Sequence, residues 1–231
     1  VAMTSSIPTF SQGVFQRVFT RSLEEYQELS GAYPGELLVR KQINSADDVP
    51  DLAKAYASLD EAVAVNLAPS FHLVYRSSTR HRTVASIYLR PDVPVTPDMD
   101  PEKRLHVAAK ATTIDDFDAH VTLVAGRMPA PAGPGEAAEV VVTEAAMAEL
   151  SVGLDSRYVL ADKDQIVISP IVVVGVFRPS EGSQAFWYRK GSNLGTSFFM
   201  DREDFERVFP TLAAFATMQM EWFYGLDYYQ I

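Results

Sequence analysis

Apolar positions along the chain change their period several times, and each change marks an element. Between residues 12 and 30, Phe15, Phe19, Leu23, Tyr26 and Ser30 recur every three or four positions, with Val14 and Val18 alongside. That spacing predicts an amphipathic helix. Gly31 closes it, Pro34-Gly35 turns the chain, and residues 36–43 read as a strand. Ser45, with Asp48 as capping partner and Pro50 in the first turn, opens a second helix whose stripe is Leu52, Tyr56, Leu59 and Val63. Two β-rich runs, 71–76 and 82–90, joined by 77–81, predict an antiparallel hairpin.

Pro91, Pro94, Pro97 and Pro101 then stiffen the chain and block regular pairing. Residues 103–110 read as a strand with Leu105, Val107 and Ala109 on one face, and Thr113 with Asp116 predicts a short helix to residue 124, ended by Gly126. After a Pro-, Gly- and Ala-rich loop (128–138) come a strand (139–142), a helix (143–150) and strands at 157–161 and 166–177. Val172-Val173-Val174 is continuous rather than alternating, which predicts a strand covered on both faces. Asp201, with Asp204 three residues on, opens a last helix ending at Pro210, and 215–224 is a final strand. The expected class is α+β, with mixed and antiparallel sheets and strand–helix–strand units. Two subdomains, 1–100 and 101–231, would join near the 91–101 stretch.

Composition narrows the function classes. A chain of 231 residues, 47% apolar, can bury enough surface to offset the entropy of ordering. Its 30 acidic residues against 20 basic ones give a net charge of −10, which repels a polyanion. The densest basic group, Arg76, Arg80 and Arg82, does not reverse this, so nucleic acid is excluded as a partner. The absence of cysteine excludes disulfides and thiolate metal sites. A membrane span needs ~20 apolar residues, and the best runs, 165–177 and 208–220, are interrupted by Pro170 and Pro210. Residues 1–16 lack the basic start and apolar core of a signal peptide. Both ends, Val1 and the aromatic run 222–231, read as cuts through a longer polypeptide.

The catalytic inventory is thin. His72, His81, His106 and His120 show no metal-ligand spacing. Asp115, Asp116 and Asp118 fit the acidic first turn of a helix better than a calcium loop, which needs alternating oxygen ligands and a distal Glu. The serine of Gly191-Ser192-Asn193-Leu194-Gly195 sits one position early for a nucleophile elbow, and Gly133-Pro134-Gly135 lacks the Gly-Lys of a phosphate loop. The expectation is a non-enzyme with no catalytic residue, no cofactor and no metal. Phe186, Trp187 and Tyr188, between a charged turn and Arg189-Lys190, are candidate partner-contact residues; otherwise they fold back as a lid over the core.

Three segments, 121–129 (Val-Thr-Leu-Val-Ala-Gly-Arg-Met-Pro), 139–150 (Glu-Val-Val-Val-Thr-Glu-Ala-Ala-Met-Ala-Glu-Leu) and 171–177 (Ile-Val-Val-Val-Gly-Val-Phe), occur in an order and spacing that resembles the extracytoplasmic core of FtsX-like and MacB-like ABC-transporter permeases. Residues 13–30 followed by Pro34-Gly35-Glu36, and the segments 197–210 and 221–227, are similar to large actinobacterial-type members. At Val152-Gly153-Leu154-Asp155 the chain departs from the family's adjacent Gly-Asp. The resemblance implies an extracellular or periplasmic domain inserted between the first two membrane helices of a permease. It would transmit the motion driven by a cytosolic ATPase subunit or contact an extracytoplasmic protein, peptide or lipid. It also implies a second permease copy or half as partner, and no chemistry in the domain itself. The alternatives are a free-standing extracytoplasmic solute- or peptide-binding protein, or a hydrolase assembled from distant residues.

Overall fold

The computed structural model describes residues 6–30, 33–44, 47, 49–92, 107–183, 186–187, 194–212 and 216–230, with side chains from residue 13 onward. The elements are α1 (Ser6–Ser30), β1 (Glu36–Asn44), α2 (Leu52–Glu61), α3 (Ala68–Ser70), β2 (Tyr75–Pro91), β3 (Val107–Ile114), β4 (Val121–Gly126), β5 (Ala138–Thr143), α4 (Glu144–Leu150), β6 (Arg157–Ala161), β7 (Val167–Pro179), β8 (Ser197–Met200), α5 (Arg202–Val208) and β9 (Thr217–Leu226). A π-helical segment, Ala62–Leu67, joins α2 to α3, and a 3-10 turn, Phe117–His120, precedes β4. The class is α+β with a mixed sheet, as expected.

The strands run β1-β9-β2-β3-β8-β5-β7-β4, and β6 bridges β2 and β7. The ladders β2-β3-β8-β5-β7-β6 therefore return to β2 and close a ring, with β1 and β9 as a wing on one side and β4 on the other. Strand β2 serves both parts because its register shifts between Val84 and Ile87, where Ser86 takes a positive φ of 61°. Before this bulge β2 pairs with β9; after it, β2 pairs with β6.

The main core gathers one face of these strands with α2, α4 and α5: Val84, Ile87, Ala111, Val140, Ile171, Phe198, Met220 and Trp222 meet Leu52, Tyr56, Ala146, Leu150 and Phe205. Helix α2 is capped by Asp51, α4 by Thr143 and α5 by Asp201, each accepting a hydrogen bond from a first-turn amide. One cation lies inside. Arg82, 2% exposed, stacks over the rings of Tyr56 (4.3 Å) and Phe205 (5.4 Å) and donates to Glu206 at 2.8 Å. Burial alone would raise the Glu206 pKa, but the hydrogen bonds and charges of Arg82 and Arg202 outweigh it and hold the carboxyl below its ordinary value.

Several expectations are corrected. In place of the hairpin expected over 71–90, Tyr75–Pro91 is one long strand, because Ser77–His81 pairs along Gly225–Glu221 of β9 instead of turning. The second helix starts at Leu52, where Asp51 holds the extended cap geometry (φ −144°, ψ 100°) and accepts from the Lys54 amide; the expected opening residues Ser45 and Asp48 lie outside the described residues. The helix expected from Thr113 to residue 124 is reduced to the 3-10 turn Phe117–His120: β3 runs to Ile114, Asp116 adopts a left-handed φ of 57°, and Val121–Gly126 is a strand on the edge of β7. β8 carries no sequence expectation of its own. Of the proline-rich stretch, 93–101 lies outside the described residues. Helix α1 forms, yet its stripe stays largely in water: Phe15 is 74% and Val18 60% exposed, while Leu23 packs on Tyr33, Phe223 and Tyr228.

The motif segments 121–129, 139–150 and 171–177 form one unit. Gly126, at φ +73°, crosses Gly175 so closely that an added Cβ would lie 2.1 Å from the Val174 carbonyl oxygen. The Arg127 amide donates to that same oxygen at 2.9 Å, and its guanidinium forks onto Glu139 of β5. Replacing Gly126 with Ala meets both the backbone clash and the left-handed strain, and should cost about 2–4 kcal/mol in chemical denaturation. For Glu206, a carboxylate with a depressed folded pKa contributes stability above its unfolded value and loses it as pH falls through the folded one. Melting temperatures should therefore drop on acidification below the ordinary glutamate range, and Glu206→Gln should flatten part of that drop.

Candidate functional site

Among the described residues, the sheet face opposite α2 and α5 is covered at its two ends and open between them. At one end Tyr33, Phe223 and Tyr228 pack with Leu23 of α1. At the other, Phe117, Phe177, Phe186, Trp187 and Phe199 form an aromatic cluster. Between them lies a groove of about 280 Å³ floored by β1, β9, β2, β3 and β8.

Strand registers order its floor into three rows. Arg40, Glu221, His81 and Ile114 lie side by side in the first; Gln219, Thr83, Thr112 and Phe199 in the second; Thr217 and Ala85, then Lys110 and Ser197, in the third. The middle of the floor is small, with Thr83, Thr112, Ala85, Ser197 and Thr217, whereas Trp187, Leu194 and Phe199 stand as a wall at the β3–β8 side. That difference in size makes the depression.

Its polar groups divide into satisfied and available. Arg40 pairs with Glu221 at 2.6 Å, and Thr83 and Thr112 share a hydrogen bond at 3.1 Å. Lys110 forms no ion pair among the described residues. Two basic side chains, Arg40 and Lys110, thus line the groove with one carboxylate, Glu221, in a chain whose net charge is −10. Such a surface can hold a ligand by charge, hydroxyls and an aromatic wall.

Phe186 and Trp187 of the candidate contact trio are 5% and 8% exposed. Phe186 stacks on His120 at 3.8 Å, and the Trp187 indole donates to the His120 carbonyl at 3.1 Å. Tyr188 lies outside the described residues. Of the histidines, only His81 is a groove residue; His120 is in the aromatic cluster, His72 sits in the turn after α3 with φ 53° rather than in a strand, and His106 is not described. Among the described residues no three His, Asp or Glu side chains gather to hold a metal. Asp115 pairs with Arg80 at 3.4 Å. Gly133 and Gly135 belong to the loop before β5.

Sequence reasoning missed the groove residues Arg40, Lys110, Gln219 and Glu221. The signal that could have found them is the strict alternation of β9, where Thr217, Gln219 and Glu221 interleave with the core residues Met218, Met220 and Trp222.

No family model and no curated protein matches the chain. Among solved structures it is similar to the periplasmic region of MacB from Actinobacillus actinomycetemcomitans, at 11% identity and a TM-score of 0.37, with 82% of this chain and 75% of that one covered.

Trp187 is both core and wall, so its removal should be felt twice. Trp187→Ala is expected to destabilise the fold by about 3–5 kcal/mol in urea titration, with the amide resonances of Ile114 and Phe199 shifting most.

Proposed function

We propose that the chain is an extracytoplasmic domain of an FtsX-like ABC-transporter permease, a MacB-like core that relays ATPase-driven motion or receives an extracytoplasmic partner. The observation that carries this reading is the unit formed by the three motif segments. Their residues are not scattered matches: Gly126 needs Gly175, Arg127 needs Glu139, and β5 and β7 are neighbours in the sheet. The order that resembles the family is thus tied to one set of contacts.

Helix α1 accords with it. No described helix is long and apolar enough to cross a membrane, and α1 keeps Phe15, Val18, Phe19 and Leu29 in water. Apolar surface of this kind marks contact with another protein or a lipid surface. In this reading the domain does no chemistry. Its partners are a cytosolic ATPase, reached through membrane helices, and a second permease copy or half. The groove favours a second reading, a free-standing solute or peptide receptor, because a concave site of charge and aromatic wall suits capture of a small ligand.

Expression of the complete gene with an affinity tag separates the two. The permease reading expects the product in the detergent-solubilised membrane fraction, co-purifying with an ATP-hydrolysing subunit. Recovery as a free extracytoplasmic protein with no such subunit would overturn it and favour the receptor.

A further inference from the structure

We infer that the sheet groove is a binding site for a small amphipathic carboxylate, held by Lys110 at its charged end and by Trp187, Leu194 and Phe199 along its apolar part. This inference stands on the groove alone and does not require the chain to be anchored in a membrane.

Size comes first. About 280 Å³ lies just under the ~300–1,000 Å³ of drug-sized sites, so the occupant is smaller than a drug and far smaller than a folded partner. Shape agrees, because the floor dips where Ala85, Thr83 and Thr112 lie between taller neighbours. Filling it needs a compact chain.

Charge decides the class. Glu221 is engaged by Arg40 through Nε at 2.7 Å and Nη2 at 2.6 Å, so a cationic ligand would have to displace a guanidinium to use that carboxylate. Lys110 has no such competitor among the described residues, and it lies on β3 beside Ser197 of β8, whose hydroxyl-bearing side chain also lines the groove. An ammonium at the rim of a partly apolar cleft attracts an anion more strongly than it would in open water. Trp187, Leu194 and Phe199 give that anion an apolar body to cover. A fully polar anion would leave this wall unused, and a neutral amphiphile would leave Lys110 unpaired. Only the combination uses both.

The floor of the site sits on paired strands. Arg40, Thr83, Lys110, Phe199 and Glu221 all belong to paired strands whose other face is core, so little has to be ordered on binding.

The test compares hexanoate, hexanol and hexylammonium, three probes that share one chain and differ in head group, against the purified chain by amide NMR titration. Hexanoate is expected to saturate, with shifts centred on Thr83, Thr112, Lys110 and the Trp187 indole. Hexanol should bind about tenfold more weakly, since it forfeits the charge-assisted contact, and hexylammonium should not shift these resonances. Lys110→Gln should bring hexanoate down to the hexanol level. Ala85→Leu, which fills the floor, should abolish hexanoate shifts while circular dichroism shows the fold retained. Equal binding of all three probes, shifts located elsewhere, hexanoate binding untouched by Lys110→Gln, or no saturable hexanoate binding would overturn the inference. None of these results bears on membrane attachment or on the ATPase, so the two proposals fail separately.

Discussion

A stack of four side chains from four separate parts of the chain holds the two faces of this fold in place. Trp222 of β9 lies flat against Tyr56 of α2, with centroids 5.6 Å apart and planes 7° from parallel. Arg82 of β2 covers Tyr56 and reaches Phe205 of α5. A guanidinium tolerates this place because it is planar, weakly hydrated and able to stack, while its edge still finds Glu206. A lysine would keep the charge and lose the stacking. Burial, with smaller contributions from Asp115 and Asp60, pushes the Tyr56 phenol up, so the ring remains neutral within the stack. Asp60 closes the arrangement, accepting from the Trp222 indole at 2.7 Å and pairing with Arg80 at 3.1 Å.

That stack explains why one sheet face is free for other work. Helices α2 and α5 are fixed on the same side, so Met218, Met220 and Trp222 are consumed by the core and their interleaved neighbours Thr217, Gln219 and Glu221 face away. Among the described residues the opposite face is then roofed at its ends, by the Tyr33–Phe223–Tyr228 cluster and the aromatic cluster around Phe117. The groove is what remains.

How far the chain could be read follows from which signals are local. The opening residue Asp201, the helix over 143–150 and the strands over 139–142, 157–161, 166–177 and 215–224 were legible because their signals are local, in the apolar pattern and, at Asp201, in the capping residue. Residues 77–81 misled because Ser, Ser and Thr resemble a turn, whereas their pairing is decided by β9, far away in sequence. Thr113 and Asp116 misled in the opposite sense: a spacing suited to a helix start was overridden by the ladder of β3 with β2. The groove was scarcely legible at all. Its floor comes from five strands, and nothing in a linear reading puts Arg40 beside Glu221 or Lys110 beside Ser197.

The Arg40–Glu221 bond spans 181 residues, and all of β1 pairs with β9. During synthesis β1 is therefore among the first strands made and among the last to find its partner, and loops of that length close slowly. Until β9 has been made, β1 lacks the strand it pairs with in the fold and must not join a stranger instead. The charges of Arg40 and Lys41 in its middle make it a poor template for such pairing. Arg40, which later lines the groove beside Glu221, thus begins as a guard against misassembly.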